Sequence, residues 1–263
     1  MSWWIFGKRK VGLVLGGGVA RGIAHIGVLK VFDKYRIPID YIAGTSSGAI
    51  VGAAYAAGME VRLLELIAQR VRWGRILKVA FFRPGVVSEK GIENYVIKYI
   101  GDKDFSELKI PLAVVATDLK NGERAIINKG KVAKAVAASA AFPGLFAPEE
   151  INQHFLTDGG VSDNLPVDVV RKMGANYVIA VDVIPSKPLR GLPKNPVHAF
   201  GRSLDLVLHR LSVTQRKRAD ILIEPEIPED IWHFDLHKGK RLITAGENAA
   251  HRVIGKIRRK LRV

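Results

Sequence analysis

Short apolar runs alternate along the chain with segments whose apolar residues recur every three or four positions. The runs VGLVL (11–15), IDYIA (39–43), LAVVAT (112–117), YVIAVDV (177–183) and ILIEP (221–225) read as strands. Helical spacing is carried by Ile23, Ile26, Leu29 and Phe32, and again by Leu63, Leu64, Ile67 and Val71. This alternation predicts an α/β fold, a mostly parallel sheet covered by helices on both faces. ERAIIN following TDLKNG predicts a hairpin turning at Asn121-Gly122. Near the end, Leu242, Ala249, Val253, Ile257 and Leu261 mark one stripe of a basic helix over 238–263. Two stretches are less regular. WGRILKVAFFRPGVV (73–87) is expected to form a cap or lid, and SKPLRGLPKNP (186–196) a loop.

In open α/β sheets ligands bind beyond the carboxyl ends of the strands, and two predicted strand ends carry suggestive chemistry. The first is GTSSG (44–48). The outline G-x-S-x-G centres on Ser46, between Gly44 and Gly48, and fails when centred on Ser47. A serine on a tight turn from strand to helix is the setting of a nucleophile elbow. The second is LGGGVARG (15–22). Its glycines let successive N–H groups face outward at a helix start, where positive potential suits a developing oxyanion. Gly17 and Gly18, with Val19, are the expected donors. A dinucleotide fingerprint begun at Gly16 would need glycine where Arg21 stands, and a P-loop would need Lys-Ser/Thr after Gly22, where Ile23 follows. Arg21 is unfavourable at a positive helix end. It is expected to brace the glycines by folding onto a carbonyl or a carboxylate, the alternative being solvent.

A serine nucleophile also needs a base. Of seven histidines, His25 falls inside the first helical pattern, and His198, His209, His233, His237 or His251 could each close a Ser-Asp-His order. The other candidate is Asp158 in FLTDGGVSDNLP, backed by Gly159 and Gly160. Residue types alone leave base and Asp-Gly turn equal for this aspartate.

Composition narrows the classes. The 263 residues suffice for one large core, so a single domain over 1–263 is expected. The absence of cysteine excludes disulfides, thiolate zinc sites and a cysteine nucleophile. No run approaches the ~18 apolar residues of a membrane span. MSWWIFGKRK lacks the order of a signal peptide, so a cytoplasmic location is expected, in solution or on the inner face of the membrane. A formal net charge of +16 asks for an anionic partner. No nucleic-acid-binding motif is present, so an anionic membrane surface is the expected partner, met by residues 1–10 and the basic C-terminal helix. The sequence shows no metal-ligand cluster and leaves the oligomeric state open.

Taken together, GLVLGGGVARGIAHIGVL, IAGTSSGAIVGAAYAAG, AVAASAAFPGLFAP and LTDGGVSDNLPVDVVRKMGA resemble the patatin-like phospholipase family, particularly its compact bacterial members. The resemblance covers 11–183 and implies a three-layer α/β/α fold with a Ser-Asp dyad and no catalytic histidine. On the matching positions Ser46 would be the nucleophile, Asp158 the base, and Gly16, Gly17 and Gly18 with Val19 the oxyanion hole. Gly44, Gly48, Gly159, Gly160 and Arg21 would support them. The implied activity is hydrolysis of phospholipid or lysophospholipid esters without a cofactor. The related malonyl transacylase scaffold usually carries histidine beside its serine, where this chain has Thr45 and Ser47. A non-catalytic protein that binds membranes on the same fold is the alternative. Val19 and Asp163 depart from the family, where glycine or another small residue and asparagine are common.

Overall fold

The computed structural model describes residues 9–71, 90–186, 193 and 195–263. The expected lid at 73–87, the aromatic residues of the expected N-terminal anchor, and much of the 186–196 loop lie outside the described residues. The chain runs through β1 (Val11–Leu15), α1 (Ala24–Lys34), β2 (Tyr41–Thr45), α2 (Ser47–Ala56), α3 (Val61–Arg70), α4 (Lys90–Ile100), β3 (Leu112–Asp118) and β4 (Arg124–Ile127). It continues through α5 (Val132–Ser139), β5 (Glu149–Ile151), β6 (His154–Asp158), α6 (Val167–Lys172), β7 (Tyr177–Val181), α7 (Pro196–Arg218), β8 (Ile221–Ile223) and α8 (Gly239–Leu261).

The five predicted strands form the parallel part of one sheet, in the order β3-β2-β1-β7-β8. Only β1 keeps the bounds of its apolar run; β3 is one residue longer and β8 stops two residues short, at Ile223. β2 starts at Tyr41 because Asp40 is occupied upstream, its carboxylate accepting from the Val11 amide at 2.8 Å. β7 stops at Val181 because Asp182 turns the chain, its carboxylate accepting from the Ile184 amide at 3.0 Å. The hairpin at Asn121-Gly122 is present as the antiparallel β3–β4 pair, with Gly122 at φ 73°. The β5–β6 hairpin was not legible. Its strands are short, and His154 and Phe155 are exposed, so alternation has no room to develop.

Strand side chains alternate between the two faces, as the pleat requires. Leu13, Leu15, Ile42, Val114 and Ile179 join the core beneath α1, α2 and α8. Val14, Ala43, Ala113, Val115 and Val178 join a second core with Val167 and Val170 of α6. The result is the expected three-layer α/β/α arrangement.

β3 has three partners, and a strand has two edges. β2 pairs with residues 112–115 and β6 with residues 116–118. Pro111 O accepts from Ile42, and the Leu119 amide donates to Phe155, so odd-numbered main-chain groups face both strands. The even-numbered Asp118 amide donates to Glu123 on the β4 side. β2 and β6 therefore lie end to end along one edge of β3. Their last residues, Thr45 and Asp158, stand opposite neighbouring positions, Val115 and Ala116.

α8 packs on α1, which joins the last element to the first helix. Leu242, Ala249 and Ile257 of the predicted stripe are buried, while Val253 and Leu261 are half-buried. Arg252, Lys256, Arg259 and Lys260 point to solvent. The crossing is backbone to backbone. A methyl group on Gly246 would lie 1.9 Å from Ala24 O, and one on Gly27 would lie 2.0 Å from Ile243 O. Among the described residues no helix is long and apolar enough to cross a membrane.

Gly246→Ala is accordingly expected to destabilise the protein by about 1–3 kcal/mol through overpacking. Gly255→Ala, in the same helix with nothing within 4 Å, should stabilise it by about 0.5–1 kcal/mol. Urea denaturation of both variants checks the pair, and equal shifts would contradict the close crossing.

Candidate active site

Ser46 sits between the end of β2 and the first residue of α2, at φ 52° and ψ −124°. That half of conformational space is costly for a residue with a side chain, so the surroundings must hold it there. The Ser46 amide donates to Ser139 Oγ at 2.8 Å, and the Ser139 hydroxyl donates in turn to Val115 O. The Ser46 carbonyl accepts from the amides of Ala49 and Ile50 in the first turn of α2. Thr45 Oγ1 donates to Asp163 O at 3.0 Å. Gly48 is required by space, since a Cβ there would lie 2.0 Å from Leu15 O. α2 can start directly above the end of β1 only because that atom is missing.

The end of β6 delivers Asp158 to the same point. Ser46 Oγ donates to Asp158 Oδ2 at 2.6 Å, while Asp158 Oδ1 accepts from the Gly160 amide at 2.8 Å. Thr117 Oγ1 and the Ala141 carbonyl tie down the Asp158 main chain. Both side chains are buried. Burial pushes the Asp158 carboxyl up to about 6, and the hydrogen bonds from Ser46 and Gly160 only partly oppose it. A hydroxyl donating to a carboxylate with raised proton affinity provides a direct path for its proton.

None of the histidines is hydrogen-bonded to Ser46 or Asp158 among the described residues. His233 Nε2 lies 2.8 Å from Asp205 Oδ1, and His198 stacks on Trp232 with ring centroids 3.7 Å apart. His251 meets the ring of Tyr35. His25 lies under the glycine loop, where Nε2–H donates to Gly16 O at 2.7 Å. Burial lowers its pKa to about 4.

The glycine loop passes beside the serine: a methyl group on Gly17 would lie 3.1 Å from Ser46 Cβ. Its amides are not equivalent. Gly16 N–H donates to Val181 O at 3.0 Å and Gly17 N–H to Asn164 O at 3.3 Å, so both are committed within the fold. Of the four expected oxyanion positions, Gly16 and Gly17 thus have their amides occupied. Gly18 and Val19 N–H have no acceptor among the described residues. Val19 holds φ 51°, a strained value for a β-branched residue.

Arg21 takes the carboxylate alternative. It lies in the 3₁₀ turn Val19–Ile23, and its Nη1 donates to Asp205 Oδ1 at 2.7 Å. The next-door Ala20 amide donates to His233 O at 2.9 Å, so α7 and the segment before α8 both grip this turn. Burial opposes a charge on Asp205, but His233 and Arg21 outweigh it and keep its pKa below the ordinary range. Asp205 and Ser139 carried no signal of their own, since each is an unremarkable polar residue in a helical segment. An apolar cavity opens next to the loop between α2, α3 and α4, with Val19, Gly22 and Ser47 at the loop and Ala54, Leu64 and Val96 farther along. Among the described residues no cluster of three or more His, Asp and Glu side chains has a metal-binding arrangement.

The family model for patatin-like phospholipase matches residues 13–171, a stretch that includes the loop, the elbow and Asp158. The chain belongs to the patatin-like phospholipase family. Lysophospholipase NTE1 of Debaryomyces hansenii is 35% identical over 185 residues, covering 68% of this chain and 12% of the relative. Human patatin-like phospholipase domain-containing protein 6 is 34% identical over 184 residues, covering 66% of this chain and 13% of the relative. The chain thus spans about an eighth of the length of these two larger relatives. An uncharacterized NTE family protein of Mycobacterium tuberculosis is 37% identical over 180 residues, with 66% and 49% of the two chains covered. VipD from Legionella pneumophila has a TM-score of 0.56 at 13% identity, covering 95% of this chain and 67% of that one, a likeness of fold.

Within this patatin-like frame, the departure at Asp163 has a local partner. Arg124 on β4 pairs with Asp163 and grips Asp168 with two bonds of 2.8 and 2.9 Å. Burial nevertheless keeps the Asp163 pKa raised. The carboxylate is tolerated at this buried position because a cation from the β3–β4 hairpin reaches it.

Two stability measurements test this electrostatic picture. Asp158→Asn keeps the shape but removes a buried charge, so at pH 8 it is expected to stabilise the fold by up to about 3 kcal/mol. A raised folded pKa means that Asp158 stability is complete below about pH 4 and is lost as pH rises through about 6. The gain should therefore vanish near pH 4 in denaturant titrations. Arg21→Met, which leaves Asp205 buried without its guanidinium, should cost about 3–5 kcal/mol. An unchanged unfolding midpoint would remove Arg21 from the bracing network.

Proposed function

We propose that the chain is a serine lipid acyl hydrolase that cleaves carboxylic esters of phospholipids or lysophospholipids through Ser46 and Asp158. The observation that carries this reading is the 2.6 Å hydrogen bond from a strained, buried serine to an aspartate whose pKa is raised to about 6. As Ser46 Oγ attacks the ester carbonyl carbon, its proton passes to Asp158. The carbonyl oxygen becomes an oxyanion, stabilised by the free amides of Gly18 and Val19 and by the positive start of the following helical turn. Collapse of the tetrahedral intermediate expels the alcohol or lysolipid, which takes the proton from Asp158. Water, giving a proton to the same carboxylate, then attacks the acyl-Ser46 carbonyl; the bond to Ser46 Oγ breaks, Oγ takes that proton back, and the fatty acid is released. The apolar cavity beside Val19 and Ser47 supports an acyl chain as the group held during these steps.

The cycle calls on no cofactor, because the proton and the oxyanion are both handled by groups of the chain. The lysophospholipase name of one relative supports the substrate class. The net charge of +16 supports work at an anionic membrane surface.

A fluorophosphonate probe should label the wild type and not Ser46→Ala. Turnover of a soluble short-chain ester should fall about 10³-fold or more in Ser46→Ala and in Asp158→Asn. His198→Ala and His251→Ala should stay within a few-fold of wild type. A large loss in either histidine variant would require a triad in place of the dyad. Because Asp158 must be ionised to accept the proton, kcat/KM should decline as pH falls through about 6. A pH–rate profile flat between pH 5 and 8 would contradict Asp158 as the base.

A further inference from the structure

We propose that the outward face of α7 is the surface by which this protein docks on an anionic lipid bilayer. The inference rests on the lipid hydrolase reading above and deepens it by naming the docking element. α7 is 23 residues long and has two unlike faces. Inward it turns Gly201, Asp205, Leu208 and Ser212, all buried. Outward, Phe200, Leu204, Val207 and Leu211 follow one another at intervals of four, three and four residues, a single row on a helix. Phe200 is 61% exposed, Val207 52% and Leu211 46%, while Leu204 is half-buried. Leu206 and Val213 add a second exposed apolar flank. Single exposed apolar residues are ordinary, but a row of them along one helix marks an interaction surface.

Charge selects the occupant. Arg210 and Lys217 project between the two apolar flanks, and Arg218 closes the row. The one acidic residue of the helix, Asp205, is turned inward onto Arg21 and His233. The exposed face is thus apolar and cationic with no carboxylate of its own. That combination suits the headgroup region of an anionic bilayer, where apolar side chains enter the acyl boundary and cations meet phosphates.

Position adds a reason for this helix to be the one. Asp205 holds the turn that follows the glycine loop, and Leu208 reaches the loop after Asp158, its Cδ2 lying 3.3 Å from the place of a Cβ on Gly160. Docking α7 would therefore seat both halves of the active site against the membrane through rigid contacts. α8, the basic helix singled out in the sequence, buries Leu242, Ala249 and Ile257 of its apolar stripe in the core and leaves Val253 and Leu261 only half-exposed.

The test uses the full chain and two variants, F200S/V207S/L211S and R210E/K217E, both altered only on the exposed face. Co-sedimentation is measured with phosphatidylglycerol-containing vesicles and with pure phosphatidylcholine vesicles, alongside turnover of a soluble short-chain ester and circular dichroism. The expected result is wild-type binding to the anionic vesicles and at least a tenfold loss in each variant, with soluble-ester turnover within twofold of wild type. Undiminished binding by both folded variants would overturn the proposal. So would loss of a wild-type dimer on substitution with vesicle binding unchanged, which would make this face an interface between copies. Absence of ester turnover in the wild type would instead defeat the hydrolase reading, and the vesicle measurement would still decide the docking face.

Discussion

The candidate site depends on one edge of β3 being shared end to end by two strands that run in opposite directions. β2 ends opposite Val115 and β6 ends opposite Ala116, so Ser46 and Asp158 meet although 112 positions separate them. The junction leaves Val115 O available, and Ser139 takes it while holding the Ser46 amide with the same oxygen. Gly159 must pass this carbonyl too closely for any side chain, since a Cβ there would lie 2.1 Å from it. Strand register therefore does what a flexible loop could not: it fixes serine to carboxylate at 2.6 Å with both groups out of water.

Around that point the chain treats its buried carboxylates unequally. Asp205, Asp182 and Asp163 each have an arginine against them. Asp158 has a hydroxyl and an amide instead, and no cation contributes to its shift. A guanidinium at that place would stabilise the anion and remove its ability to accept a proton. The cations are spent one layer out, where they hold the glycine loop and the segment after Asp158. His25 belongs to the same pattern, kept neutral beneath the loop so that its ring serves as a hydrogen-bond donor to Gly16 O. Its folded pKa lies below its unfolded value, so its contribution to stability falls as pH drops from about 6.5 to about 4. That trend opposes the one from Asp158 over part of the same range.

Much of the fold was legible in the chain. Apolar runs marked the five parallel strands because strands covered on both faces admit few polar residues, and the turn at Asn121-Gly122 marked a hairpin. β5 and β6 escaped because they are short and half exposed, which left Asp158 looking like a turn residue as much as a base. The elbow at Ser46 was legible because its steric demands leave glycine in the sequence, at Gly44 against Gly48 and Ala49 and at Gly48 against Leu15 O of β1. The glycine loop was legible as a loop but not amide by amide. Which N–H groups stay free depends on Val181 O and Asn164 O, which arrive from distant parts of the chain.

The sequence by itself determined the alternation of strands and helices, the serine on its tight turn, the glycine-rich loop and the cationic surplus. Each of these is imposed by short-range sterics, by the covering of both sheet faces, or by charge count. Tertiary structure decided that the Ser46 hydroxyl donates to Asp158, that Arg21 reaches Asp205, and that among the described residues the apolar row of α7 is exposed while most of that of α8 is buried. Those outcomes depend on which distant surfaces meet, and a helix carries the same apolar stripe whether it faces a core or solvent.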